Sequence, residues 1–202
     1  SAELNQWVYD QCLSFLDQGQ KIGLIGGDHS VPLGYIKALT EQYASEGMSI
    51  LHIDAHADLR DAYEGFTYSH ASIMNNVLKL SGIHRLVQVG IRDLCEAEMD
   101  LIEADDRVVL FDDWQLKNNA FEGLTWKQQC EAIVSSLSHK VYISFDIDGL
   151  NQVFCPHTGT PVPGGLDFNQ AVYLIQTLVK SGREIIGFDL CEVAPSSTEF
   201  ES

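Results

Sequence analysis

The chain has 202 residues, with 29 acidic against 12 basic side chains and a formal net charge of −17. Its length fits one domain, expected over 1–202 as part of a longer chain. A composition of 45% apolar and 20% charged residues excludes a disordered acidic polymer. The charge excludes a nucleic-acid backbone or an anionic membrane surface as main partner, since both require clustered Lys and Arg.

In chain order, Leu4, Val8, Cys12, Phe15 and Leu16 recur at helical spacing and predict a helix over 3–18. The apolar run KIGLIGG (21–27) predicts a first strand, and Ser30 before Val31 and Pro32 marks the start of a helix over 31–46. Strands follow at MSILHIDAH (48–56), RLVQVGIRD (85–93), RVVLFDDW (107–114), KVYISFDID (140–148) and EIIGFDLCEV (184–193). Between them, helices are expected over 70–81, 95–104, 125–138 and 168–182, the last capped by Gly182. TGTPVPGGL (158–166) is read as an ordered loop. Strands alternating with helices imply an α/β fold, a mainly parallel sheet with helices on both faces. Ligands of such sheets collect at the carboxyl ends of the strands.

The five cysteines are an odd number without a CxxC pair, so neither a disulfide framework nor a thiolate zinc site is expected. No apolar run nears the roughly 18 residues of a membrane span, and the first residues carry no signal pattern. A cytoplasmic protein is expected. From Asp93 to Glu131, 11 acidic residues face three basic ones, a stretch read as solvated surface.

The strand ends carry other chemistry. Asp54, His56 and Asp58 stand at i, i+2 and i+4, so extended backbone would send all three side chains to one face. Asp146 and Asp148 repeat that spacing, and GGDHS places Asp28 and His29 at a strand-to-helix turn. Singly, each fragment reads as a surface polar pair or a helix cap. Together they give an oxygen and nitrogen ligand set without thiolate, suited to two divalent ions, with Mn²⁺ the natural candidate. Between two such ions a water loses its proton near neutral pH and becomes a nucleophile. The residues themselves therefore point to a binuclear metallohydrolase.

GGDHS, DAHAD, SFDID, GTPVPGGL and CEVAP, in this order from Gly26 to Pro195, resemble the signature set of the ureohydrolases, which include arginase, agmatinase, guanidinobutyrase and formimidoylglutamase. The resemblance implies the three-layer arginase-type fold and two Mn²⁺ per chain. It implies one ion on His29, Asp54, Asp58 and Asp146, and the other on Asp54, His56, Asp146 and Asp148, with Asp54 and Asp146 bridging. The implied reaction is attack of metal-activated water on a guanidinium carbon, releasing urea and an amine. Asp148 would relay the proton, Glu192 would grip the guanidinium, and His70 in YSHAS would shuttle protons. Asp28 and Asp93 would support the ligands rather than bind metal.

Where arginases carry an asparagine two residues after the DAHxD motif, this chain has Arg60, followed by DAYEGFTYSHAS. This loop looks like the agmatinase branch and implies a small cationic guanidino substrate. Arg60 would alternatively bind a substrate carboxylate, as for guanidinobutyrase or formimidoylglutamase activity, or pair with Asp61 or Glu64. A non-catalytic metal-binding scaffold of the same fold is the other alternative. The chain departs from the family pattern at Leu150-Asn151-Gln152, where Asp-Pro is usual, and lacks elements that family members carry at both ends, so exposed apolar surface is expected. Family resemblance also implies a homo-oligomer, a trimer or hexamer.

Overall fold

The computed structural model describes residues 2–195. Six strands form one all-parallel sheet: β1 (Gly23–Ile25), β2 (Met48–Ile53), β3 (Ile83–Val89), β4 (Val108–Phe111), β5 (Lys140–Asp146) and β6 (Glu184–Cys191), in the order β1-β6-β5-β2-β3-β4. All six predicted strands are present, each ending before its predicted polar carboxyl end, while β3 begins two residues earlier than predicted, at Ile83. The helices are α1 (Ala2–Leu16), α2 (Leu33–Gln42), α3 (Ile73–Leu78), α4 (Glu96–Ala104), α5 (Asp113–Phe121), α6 (Trp126–Ser135) and α7 (Phe168–Lys180).

Alternate strand residues feed two cores. Ile50, Leu86, Tyr142 and Ile186 pack with α1, α2 and α3 on one face. Leu51, Ile53, Val87, Val89, Val141 and Ile143 pack with α5, α6 and α7 on the other. Cover on both faces is why the strands read as continuous apolar runs rather than alternating ones. Gly34 allows the α1–α2 contact, since a Cβ there would sit 2.2 Å from the Asn5 carbonyl oxygen.

Three sequence expectations change. The second helix begins at Leu33 instead of 31, because the Asp28 side chain accepts from the Ser30 N–H and hydroxyl and holds 28–32 in a turn. The segment 70–81 divides into a 3₁₀ turn (His70–Ser72) and the short α3. Helix α5 was not expected: DWQLKNNAF buries only Asp113 and Leu116, too little for an apolar repeat, and its one clear signal is the Asp112 cap on the Gln115 N–H. Gly182 does follow α7 with φ 79°.

All five cysteines are unpaired, and four of them are buried. Most acids from Asp93 to Glu131 are surface-placed, but Glu98 and Asp113 are buried. Apolar surface is exposed at Ile25 of the edge strand β1 and in a hollow of about 580 Å³ lined by Phe145, Phe168, Val172, Ile175 and Phe188. Among the described residues, no helix is long and apolar enough to cross a membrane.

From β2 the chain moves to β3 and β4 on one side, then returns to place β5 on the other side of β2. The carboxyl ends of β2 and β5 therefore flank a topological switch point, the crevice where open parallel sheets bind ligands. The FDIDG turn after β5 and the DAHAD segment after β2 meet there. A Cβ on Gly149 would lie 2.7 Å from the Asp54 nitrogen, so this approach requires glycine.

Candidate metal centre

Asp54, the first residue beyond β2, lies at the middle of a buried cluster and is fully excluded from solvent. Its Oδ2 is 2.9 Å from His29 Nδ1 and 2.8 Å from His52 Nε2, while its Oδ1 is 3.4 Å from His56 Nδ1. His29 Nδ1 also lies 3.2 Å from Asp58 Oδ2 and 3.4 Å from Asp146 Oδ2. His56 Nδ1 is 3.2 Å from Asp148 Oδ2. Two ligand sets result. His29, His52, Asp54 and Asp58 each bring one donor atom within 4.8 Å of the others, as do Asp54, His56 and Asp148. Asp54 belongs to both, one oxygen toward each, which is the geometry of a bridging carboxylate.

All six sequence-predicted ligands converge, but not by the expected route. β2 ends at Ile53, and Asp58 has φ 55°, so Asp54, His56 and Asp58 gather through a curled segment rather than along one face of a strand. The Asp58 carbonyl accepts from the Met74 and Asn75 N–H groups at the start of α3, and the Asn75 amide donates to the Leu59 carbonyl. Likewise Asp148 lies in a 3₁₀ turn (Ile147–Gly149), not on β5, and its N–H donates to Asp146 Oδ1. One accepted N–H leaves that Asp146 oxygen a second lone pair, just as the His56 N–H does on Asp54 Oδ1, while Asp146 Oδ2 faces His29.

The non-glycine residues with positive φ are Asp58, Glu64 and Glu192, among the described residues. Two of these three belong to the site. Each such conformation costs about 1–3 kcal/mol, and strain of this kind collects where side-chain aim matters.

Burial, then the charge of Asp54, pushes the Asp58 carboxyl up and the Asp146 carboxyl well above the usual range. Burial would raise Asp54 too, but its contacts with His52, His29 and His56 hold it well below. Burial disfavours charge on both candidate imidazoles. Hydrogen bonds to Asp146, Asp54 and Asp58 nevertheless raise His29 well above its ordinary value, and Asp148 and Asp54 raise His56 to about 11. Carboxylates buried this close together call for positive charge beside them, which divalent cations would supply directly. The donors are carboxylate oxygen and imidazole nitrogen throughout, a set that fits two hard or borderline divalent ions.

Several supporting residues had not been read from the sequence. Ser144, two residues before Asp146 on β5, lies with its Oγ 2.8 Å from His29 Nε2, turning Nδ1 toward the carboxylates. Asp189 of β6 accepts from the Phe145 N–H and lies 3.8 Å from His29 Nε2. His52 stands at the corresponding offset from Asp54. The available signal was this i−2 spacing, which keeps a strand residue on the face of the ligand that follows it.

His56 and Asp58 open onto a cleft of about 250 Å³ lined also by Arg60, Tyr63, His70, Asp93, Glu98, Thr160 and Val162. His70 packs edge-on against Tyr63, with ring centroids 5.6 Å apart. Arg60 lies over the Tyr63 ring, 5.6 Å from its centroid, and 3.8 Å from Glu98 Oε2, so its ion pair is with Glu98 and not with Asp61 or Glu64. Glu98 is itself held by the Leu59 and Cys95 N–H groups. Thr160 Oγ1 is 3.4 Å from Asp148 Oδ2.

Glu192 is outside this lining. Its Oε1 accepts from the His29 N–H at 3.1 Å, and Gly159 lies beside its Oε2. Burial raises its pKa, opposed by the His29 N–H bond and the charge of His70. Asp28 caps its own turn by accepting from the Ser30 N–H, and Asp93 Oδ2 lies 3.9 Å from His56 Nε2.

Arg92 fixes the loop over the site. Its guanidinium donates to the carbonyls of Val162, Asp148, Gly90 and Leu150, joining the GTPVPG loop to the turn that carries Asp148. The unusual Leu150-Asn151-Gln152 stretch is equally ordered: the Asn151 N–H donates to the Leu166 carbonyl, and its side chain accepts from the Val153 N–H. Arg92→Ala is expected to lower stability by about 3 kcal/mol, the scale of losing several charged hydrogen bonds to backbone. A denaturant midpoint equal to that of the unmodified protein would contradict this role.

The sequence pattern of the arginase family matches residues 1–201. The N(1)-aminopropylagmatine ureohydrolase of Synechocystis is 35% identical over 188 residues, covering 93% of this chain and 58% of that protein. The crystal structure of the agmatine ureohydrolase of Thermoplasma volcanium superposes with a TM-score of 0.81 at 27% identity, over 99% of this chain and 63% of that one. Arginase from Medicago truncatula superposes at 0.84 and 26% identity, over 100% of this chain and 61% of its own. The chain thus spans about three-fifths of the length of these relatives. On the family match and the shared fold, the chain belongs to the arginase family of ureohydrolases.

Proposed function

We propose that this chain carries the catalytic centre of a binuclear manganese enzyme that hydrolyses a cationic, agmatine-like guanidino compound to urea and an amine. The observation that carries this reading is the pair of buried ligand sets sharing Asp54 at the β2–β5 switch point. His29, Asp54, Asp58 and Asp146 would hold one ion, and Asp54, His56, Asp146 and Asp148 the other. When bound, the ions would supply a nucleophile by lowering the pKa of a water.

The chain's own residues do the rest. Asp148 is held by the Ala55 N–H on Oδ1, and its Oδ2 faces His56 and Thr160. That second oxygen takes the proton from the attacking water and delivers it to the leaving nitrogen. Glu192, a carboxylate whose Oε1 is oriented by the His29 N–H, pairs with the planar N–H fork of the guanidinium. His70, at the cleft wall against Tyr63, exchanges protons with solvent as the amine leaves. A trimeric or hexameric assembly completes the proposal.

The side chains of the cleft favour a cation over a carboxylate-bearing substrate. Arg60 is the one basic lysine or arginine in the lining, and its charge is already met by Glu98. The named relatives that act on agmatine and aminopropylagmatine agree with this preference. A urea-release screen over agmatine, aminopropylagmatine, arginine, guanidinobutyrate, guanidinopropionate and guanidine, with a formamide assay for formimidoylglutamate, tests it. Agmatine or aminopropylagmatine should be cleaved best. Metal uptake without turnover of any compound would identify a scaffold, and turnover of arginine alone would refute the substrate class.

Arg60 gives a second, separate check. Arg60→Ala should change kcat/KM for agmatine by less than about 5-fold, because an already paired cation contributes little to binding another cation. A loss confined to guanidinobutyrate or formimidoylglutamate would assign Arg60 to a substrate carboxylate instead.

A further inference from the structure

His52 is the fourth member of the first ligand set, fully buried and 2.8 Å from Asp54 Oδ2. Geometry alone would allow it to bind metal. Its other nitrogen decides otherwise. Gln88 of β3 directs its Nε2 at two acceptor positions, the Ala57 carbonyl at 2.7 Å and His52 Nδ1 at 3.0 Å. A carboxamide NH₂ has two hydrogens, one for each. Turning the amide over would set Oε1 against the Ala57 carbonyl oxygen, two acceptors in contact with no hydrogen between them. The Gln88 orientation is thereby fixed, even though it leaves Oε1 without a partner.

A His52 Nδ1 that accepts from Gln88 carries no proton, so the ring proton is on Nε2 and points at Asp54 Oδ2. A protonated Nε2 has no lone pair to give a metal. We infer that His52 is not a ligand but a positioning residue, with Gln88 setting its tautomer and His52 aiming the bridging carboxylate of Asp54. The inference rests on the binuclear reading proposed above. It separates the two histidines that face the same oxygen: the Nε2 of His29 is engaged by Ser144 and its Nδ1 is left to bind, whereas His52 is turned the opposite way. Residues that orient ligating carboxylates by hydrogen bonding typically affect metal affinity by about 10–100-fold.

The test is titration of the metal-free protein with Mn²⁺, followed by metal analysis at saturation and by electron paramagnetic resonance of the spin-coupled pair. His52→Phe should still take up two ions at saturating Mn²⁺, with the weaker one bound about 10–100-fold less tightly and the coupled signal altered. His52→Gln, which restores an N–H donor, should recover most of the affinity. Gln88→Leu should shift it in the same direction as His52→Phe by about 10-fold. Loss of a whole ion at saturation in both His52 variants would make His52 a ligand and overturn the inference. So would affinities within about 2-fold of the unmodified protein. If circular dichroism shows His52→Phe unfolded, an unchanged affinity in Gln88→Leu overturns it equally. Fewer than two ions in the unmodified protein would instead refute the binuclear reading, and the positioning role with it.

Discussion

Asp54→Asn should abolish both stable metal loading and ureohydrolysis, with turnover falling by at least ~10³-fold as the activated water is lost. Asp54 alone directs one oxygen at His29 and the other at His56, so an amide there removes a negative charge from both sets together. It also sets an NH₂ against a donor, either His52 Nε2 or the His56 N–H that now gives its proton to Oδ1. Asp58→Asn, by contrast, touches only the His29 set and should leave one ion in place. Metal content of the two variants after gel filtration distinguishes them. Equal retention of both ions in Asp54→Asn and the unmodified protein would contradict the bridging assignment.

Glu192→Gln should separate substrate binding from metal binding. The substitution keeps the size of the side chain and an oxygen able to accept from the His29 N–H, so two ions should remain. What disappears is the charge opposite the guanidinium. A charge-assisted hydrogen bond in a partly buried site contributes about 2–3 kcal/mol, so kcat/KM for agmatine should fall by roughly 30–150-fold. The left-handed backbone at residue 192, with φ 61°, is compatible with this reading, because glutamine at that position is no more strained than glutamate. Unchanged kcat/KM would remove Glu192 from substrate binding. Loss of metal would assign it to holding His29 instead.

How much of this was legible in the sequence depends on the kind of signal. The strands were legible because cover on both faces makes each an unbroken apolar run, and the cluster of candidate ligands was legible because its members lie just past those runs. Helix α5 was not, since it buries little apolar surface and its polar face resembles the acidic loop around it. The convergence of Asp54, His56 and Asp58 was inferred from strand periodicity, which does not apply beyond Ile53. The left-handed turn at Asp58 and the capping of α3 by its carbonyl do that work, and neither leaves a mark in composition or spacing. Glu98 was grouped with surface acids because its neighbours in sequence are exposed. Its burial follows from two backbone N–H groups and Arg60, all remote from a charge count.

The net charge of −17 acquires structure in the same way. Most acidic residues lie at the surface, where they favour approach of a cation over an anion. Asp54, Asp58, Asp146 and Asp148 are instead buried within a few ångströms of two histidines, where their charge demands a counterion.

Native mass spectrometry of the Mn²⁺-reconstituted protein tests the binuclear centre most directly. Two Mn²⁺ per chain are expected in the unmodified protein, and loss of most of that metal in Asp146→Asn. A single tightly bound zinc, or no metal at all, would contradict the binuclear centre on which the proposed hydrolysis depends.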